Sequence, residues 1–201
     1  VHGAHGYLID QFFWQRTNQR PDRYGGSLKN RLRFGVEVIQ AIRKAVGPDF
    51  PIILRYSQWK QQDYNAKLAD TPEQLEEFLQ PLVDAGVDIF DCSTRRYWEP
   101  ELKGSELNLA GWTRKLTGKP TITVGSVGLN GGEFLQFLTD AGTLVIPDGL
   151  DNLLQRLQNR EFDLVAVGRA LLVDPEWMVK VRERRVNELV PFTKNVLNTL
   201  N

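Results

Sequence analysis

Two imidazoles and a phenol stand within the first seven residues, Val1-His2-Gly3-Ala4-His5-Gly6-Tyr7. Gly3 and Gly6 let the chain turn sharply there, so that three polar heads can converge on one cavity. Neutral imidazole N–H groups hold an oxygen that gains negative charge, and a phenol delivers a proton to a neighbouring carbon. His2 and His5 are the only histidines of the 201 residues. The same heptapeptide is also compatible with two surface histidines beside a core tyrosine. A metal pair is disfavoured, because no third ligand of the right type lies nearby.

A second set of residues suits a phosphate. Gly125-Ser126-Val127-Gly128 and Gly168-Arg169 combine glycines that allow close backbone approach with a bidentate cation. One such loop alone is more often a plain turn; two at successive strand ends point to a phosphate-bearing cofactor. Arg55 interrupts the apolar run Pro51–Ser57. A guanidinium there needs an anion or strong acceptors, either an internal partner at Asp88 or Asp91 or the electron-rich edge of a cofactor. Ser93 and Arg95 follow the next apolar run. The stretch Gln58–Tyr64 reads as a loop that either walls a substrate pocket or lies solvated with Trp59 tucked down. Tyr97 and Trp98 invite the same two readings.

These groups need a scaffold that brings strand ends together. Apolar runs at 51–57, 87–93, 121–125 and 163–168 are nearly continuous in hydrophobicity, as in strands covered on both faces. Between them lie helical patterns. Ser27 caps one reaching about Val46, with Leu28, Leu32, Val36, Ile39 and Ile42 as its apolar stripe, and Gly47-Pro48 stops it. Thr71-Pro72-Glu73-Gln74 is a capping box opening a helix to about Ala85. Further helices fit 107–117, 131–141, 149–159 and 175–186. Alternating βα units imply a parallel sheet. No glycine-rich dinucleotide fingerprint follows a first strand, and the two phosphate-type loops follow the last two strands. Both points favour a (β/α)8 barrel over a doubly wound sheet.

Composition excludes several classes. Lys plus Arg and Asp plus Glu both number 25, so no net field draws nucleic acid or an anionic membrane. A lone Cys92 rules out an internal disulfide and reads as a small core residue. No apolar run is long enough to span a bilayer and no leader is evident, so a cytoplasmic location is expected. Because Val1 already looks like the end of a strand, an upstream segment is expected to precede it.

The runs His2-Gly-Ala-His5-Gly-Tyr7-Leu-Ile-Asp-Gln-Phe12, Asn18-Gln-Arg-Pro-Asp-Arg-Tyr-Gly-Gly-Ser27 and Asn30-Arg-Leu-Arg-Phe34 resemble the Old Yellow Enzyme family of flavin-dependent ene-reductases. Leu54-Arg55-Tyr-Ser57, Val124–Gly128, Val167–Leu172 and Asp174-Pro-Glu-Trp177 continue the resemblance over nearly the whole chain. It implies a TIM (β/α)8 barrel, with this chain running from the end of strand 4 through strand 8 and the C-terminal helices. It also implies FMN as cofactor, NADPH or NADH as reductant and an activated alkene as substrate. His2 and His5 would hydrogen-bond the carbonyl or nitro oxygen; some members carry Asn at the second position. Tyr7 would protonate the α-carbon. Arg55 would face the N1/O2 edge of the isoalloxazine and stabilise its reduced, anionic form. Gly125, Ser126, Gly168 and Arg169 would hold the FMN phosphate, while Asn18–Ser27 looks structural. The branch that reduces dienoyl thioesters carries a cysteine cluster soon after the equivalent of Trp177. Residues 178–201 have none, which disfavours an iron–sulfur centre. By the same resemblance the earlier strands lie outside this chain, so that a partner fragment or upstream segment is expected to be needed for activity and stability.

Overall fold

The computed structural model describes residues 1–129 and 148–192. Five parallel strands, β1 (His2–His5), β2 (Ile53–Lys60), β3 (Ile89–Ser93), β4 (Thr121–Val124) and β5 (Leu164–Val165), lie side by side in chain order. Each crossover reaches the adjacent strand without the order reversal of a doubly wound sheet, as in a (β/α)8 barrel. Helices α1 (Leu8–Phe13), α2 (Leu28–Val46), α3 (Pro72–Asp84), α4 (Leu109–Thr117) and α5 (Asp148–Gln158) connect them, and α6 (Arg169–Val173) and α7 (Trp177–Arg182) follow β5.

Local chemistry sets the helix ends. The Ser27 hydroxyl accepts from the Asn30 N–H, and Gly47 closes α2 at φ 82°. Thr71 Oγ1 accepts from Gln74 N, while Gln74 Oε1 accepts from Asp70 N at 2.8 Å. The expected capping box is therefore present, with its return bond shifted one residue back.

Strand alternation separates two faces. Tyr56, Cys92 and Thr123 share one register row, are fully buried and face the helices. Tyr56 touches Phe78 of α3 at 5.7 Å between ring centroids and shares a 2.5 Å hydrogen bond with Thr113 of α4. The row beside it, His2–Arg55–Asp91–Ile122–Leu164, belongs to the opposite face.

Three expectations are corrected. Strand β2 runs to Lys60, so Gln58–Lys60 are strand rather than loop. Their polar groups have buried partners: Gln58 donates to Ala69 O and accepts from Leu68 N and Ala69 N. Strand β5 is two residues long, with one further bond from Ala166 N to Thr123 O. The helix expected over 175–186 covers only 177–182. Asp174 accepts from Glu176 N, from Val190 N and from the Lys180 ammonium, and Arg184 turns left-handed at φ 59°. The helix expected over 131–141 lies outside the described residues.

Phe78 has no exposed surface and lies 5.3 Å from the Phe13 ring, locking α3 against both α1 and the sheet. Phe78→Ala should cost about 3–5 kcal/mol. The urea midpoint of the protein would drop accordingly, whereas an unmoved midpoint would place this contact outside the core.

Candidate active site

The turn that ends β1 is built by left-handed backbone. His5 has φ 64° and Gly6 φ 82°, and such a conformation at a non-glycine residue persists only where its surroundings enforce it. Here Asp10 Oδ2 accepts from Gly6 N at 2.7 Å, and Gln11 Nε2 donates to Gly6 O at 2.8 Å. Asp10 in turn accepts from the Lys60 ammonium at 2.8 Å, which also donates to Ser57 O. Both ionised side chains are completely buried. Burial pushes the Asp10 carboxyl up and the Lys60 ammonium down, and their mutual attraction opposes both shifts.

This turn brings the opening trio together. The His2 ring centroid lies 5.4 Å from that of His5 and 5.3 Å from that of Tyr7. His5 stacks on Trp59 at 4.5 Å, and its Nε2 lies 2.7 Å from the Ser93 hydroxyl. The Ser57 hydroxyl accepts from His5 N and donates to Trp59 O, while the Trp59 indole donates to Ser93 O. Tyr7 is half exposed. His5 is lowered to about 4, first by burial and then by the charges of His2, Arg55 and Lys60. His2 is lowered by burial and by Arg55. Near neutral pH both rings are uncharged.

Arg55 neighbours His2 in register and pairs with Asp91, its Nε 2.7 Å from Oδ2. Of the two internal partners the sequence allowed, Asp91 is the one used, because Asp88 is taken by Arg43 at the other end of β3. The guanidinium is only part-buried, with its side chain 38% exposed.

Gly125, Ser126, Gly168 and Arg169 all line one cavity of about 520 Å³, together with Trp59, Tyr64, Arg95 and Arg96, a size usual for a ligand site. Among the described residues, three arginines line it and no carboxylate does. Gly125 has φ 148°, and a Cβ there would come within 2.6 Å of Thr94 Oγ1. No heavy atom lies within 4 Å of the Cβ position at Gly168, which leaves its backbone open to a ligand. The Ser126 hydroxyl donates to Arg95 O, while Arg95 lies 4.2 Å above the Tyr64 ring. These donors suit the phosphate end of a flavin nucleotide. The imidazoles and Arg55 do not line this cavity; Trp59 links the two groups by stacking on His5 and forming part of the wall.

Sequence reasoning left Trp59 open between two roles and missed Lys60 and Asp10. Asn18, by contrast, has the structural role expected of its segment: buried, it donates to Phe12 O and Tyr24 O.

The fold and these residues define a parallel α/β protein with a cavity suited to an anion at its strand ends. The chain belongs to the NADH:flavin oxidoreductase / NADH oxidase family, whose profile matches residues 1–147. Family membership brings FMN as cofactor with NAD(P)H as reductant. The chain is 36% identical to an NADH oxidase of Thermoanaerobacter brockii, over 94% of its own length and 27% of that protein. It is 33% identical to a cinnamate reductase of Clostridium sporogenes, over 95% and 29% respectively. A histamine dehydrogenase structure from Rhizobium sp. 4-9 superposes with a TM-score of 0.63 at 25% identity, covering 94% of this chain and 25% of that one. The chain thus spans little more than a quarter of these proteins. No helix among the described residues is long and apolar enough to cross a membrane.

Two outcomes follow. Lys60→Met strands a buried carboxylate and should cost about 3–5 kcal/mol, read as a lowered thermal midpoint; an unaltered midpoint would mean that the pair does not hold the turn. Between about pH 6.5 and 4 the unfolded chain protonates His5 while the folded chain does not, so its contribution is whole above that window and declines as pH falls through it. Melting curves across the window should therefore show a shallower acid loss for His5→Asn than for the unaltered protein. Identical losses would refute the lowered imidazole.

Proposed function

We propose that the protein carrying this chain reduces the carbon–carbon double bond of α,β-unsaturated carbonyl or nitro compounds, using NAD(P)H through FMN. In this reading residues 1–201 are the C-terminal part of a single (β/α)8 domain, from the end of strand 4 through strand 8, and an upstream segment completes the barrel. One observation carries the reading: His2, His5 and Tyr7 cluster with about 5 Å between rings, both imidazoles neutral, joined through Trp59 to an arginine-lined cavity.

Bound FMN would supply the hydride, accepted from NADH or NADPH and passed to the β-carbon. Gly125, Ser126 and Gly168 would hold its phosphate through the backbone, with the Arg169 guanidinium as counter-charge. Arg55 would face the electron-rich edge of the ring. His2 and His5 each donate one N–H to the substrate oxygen as negative charge builds there. For His5 this requires the Ser93 hydroxyl to donate to Nε2, which leaves Nδ1–H as the free donor. Tyr7, exposed enough to reach substrate, delivers its proton to the α-carbon.

The cinnamate reductase relative supports alkene reduction. The histamine dehydrogenase likeness favours a second reading, amine oxidation. An amine develops no oxyanion, so the paired imidazoles would lack a task there. A third reading is a non-catalytic half-barrel that serves assembly.

Reduced nicotinamide should bleach the flavin of the reconstituted protein, and cyclohexenone should restore its colour. His2→Ala should lower kcat/KM for the enone about 10²–10³-fold, and Tyr7→Phe about 10²–10⁴-fold, with flavin reduction by NAD(P)H retained. Phenols stacked on flavin give a long-wavelength band in the resembling family. If that band survived replacement of both histidines by Ala, they would be removed from the site.

A further inference from the structure

The Arg55–Asp91 pair lies in the row that starts at His2, on the sheet face turned away from the helices. We propose that Asp91 is a positioning residue for the flavin chemistry. Its carboxylate fixes the Arg55 guanidinium and holds the reduction potential of bound FMN below the value that Arg55 alone would set. The inference rests on the reading of Arg55 as a flavin contact and names a residue which that reading leaves unused.

The contact geometry supports both roles. Nε and Nη2 converge on a single carboxylate oxygen, Oδ2, each at 2.7 Å. Those two nitrogens form one edge of the guanidinium, so the pairing sets its plane and leaves Nη1 directed elsewhere. The Asp91 side chain is 12% exposed against 38% for Arg55. The carboxylate therefore stands behind the guanidinium rather than beside it in solvent. Asp91 Oδ1 is buried without a hydrogen-bond partner. A buried carboxylate with one oxygen bare is costly, and such groups call for an explanation beyond packing. Ile122 is its register neighbour on β4, and the Phe90 and Cys92 side chains that flank it in the chain are fully buried. Among the described residues, Arg55 is the one side chain that donates to it.

The electrostatic sign follows directly. A guanidinium near the flavin favours the reduced, more negative state, and a carboxylate held against that guanidinium opposes it. Asp91 thus sets how strongly Arg55 biases the cofactor, as well as where it points.

The test uses the FMN-loaded protein that carries this chain, poised against a redox dye. D91N keeps an oxygen to accept from Arg55 and removes the charge. Its midpoint potential should rise by about 30 mV, a roughly tenfold stronger preference for reduced over oxidised FMN. D91E keeps the charge and should stay near the unaltered potential. An unmoved or lowered potential in D91N overturns the proposal, and so does an equal rise in D91E, which would assign the effect to packing. Failure of both variants to fold would make Asp91 purely structural and overturn it as well. R55Q separates the inference from its premise. If R55Q lowers the potential while D91N leaves it unmoved, the flavin contact stands and the Asp91 role falls; if R55Q leaves it unmoved, Arg55 is not at the flavin and both fall.

Discussion

The buried Lys60–Asp10 ion pair is the constraint on which the arrangement of the site depends. It joins the last residue of β2 to the first helix after β1, and neither partner has any exposed surface. A pair so placed needs every remaining polar atom satisfied, or desolvation outweighs attraction. Asp10 spends its second oxygen on Gly6 N, and Lys60 spends another proton on Ser57 O. The first of these, with the Gln11 amide on Gly6 O, holds the left-handed turn at His5 and Gly6. The turn sets the directions of His2, His5 and Tyr7, so a charge pair without contact to the open face shapes what that face presents.

Electrostatics divide the site in two. At the trio, burial and nearby cations keep the imidazoles neutral, the state in which each has one N–H to donate and one nitrogen to accept. At the cavity, Arg95, Arg96 and Arg169 gather, and the described residues of the wall include no carboxylate. A neutral donor end and a cationic end suit a ligand with a polar, uncharged reacting group and an anionic tail. Trp59 fixes the distance between them, because one indole stacks on His5, donates to Ser93 O and lines the cavity.

Much of this was legible in the chain. The trio, the two glycine loops and the alternation of apolar runs with capped helices each rest on residues close in sequence, where spacing carries the information. What escaped depends on pairing across distance. Lys60 and Asp10 are 50 residues apart, and a lysine after Gln58-Trp59 reads as solvated loop until a buried carboxylate is known to await it. Gln58 hid for the same reason: its amide serves the backbone of residues 68 and 69. Two candidate partners stood equally open for Arg55, and only the register of β2 with β3 selects Asp91.

That register also explains why polar groups gather at one end of the sheet. On the face away from the helices, Ile53 lies beside Ile89, two residues on Arg55 lies beside Asp91, and two residues further come Ser57 and Ser93. The layers pass from apolar, through a mutually compensated ion pair, to hydroxyls that anchor the His5 backbone and ring. A barrel interior is ordinarily filled by branched apolar side chains, and the lowest of these layers keeps that pattern. Charge becomes tolerable only where a partner stands on the neighbouring strand, and uncharged hydrogen-bonding groups take over at the C-terminal strand ends. The gradient places the polar, adjustable groups where loops converge, above an apolar layer in which Ile53 keeps 39% of its surface exposed.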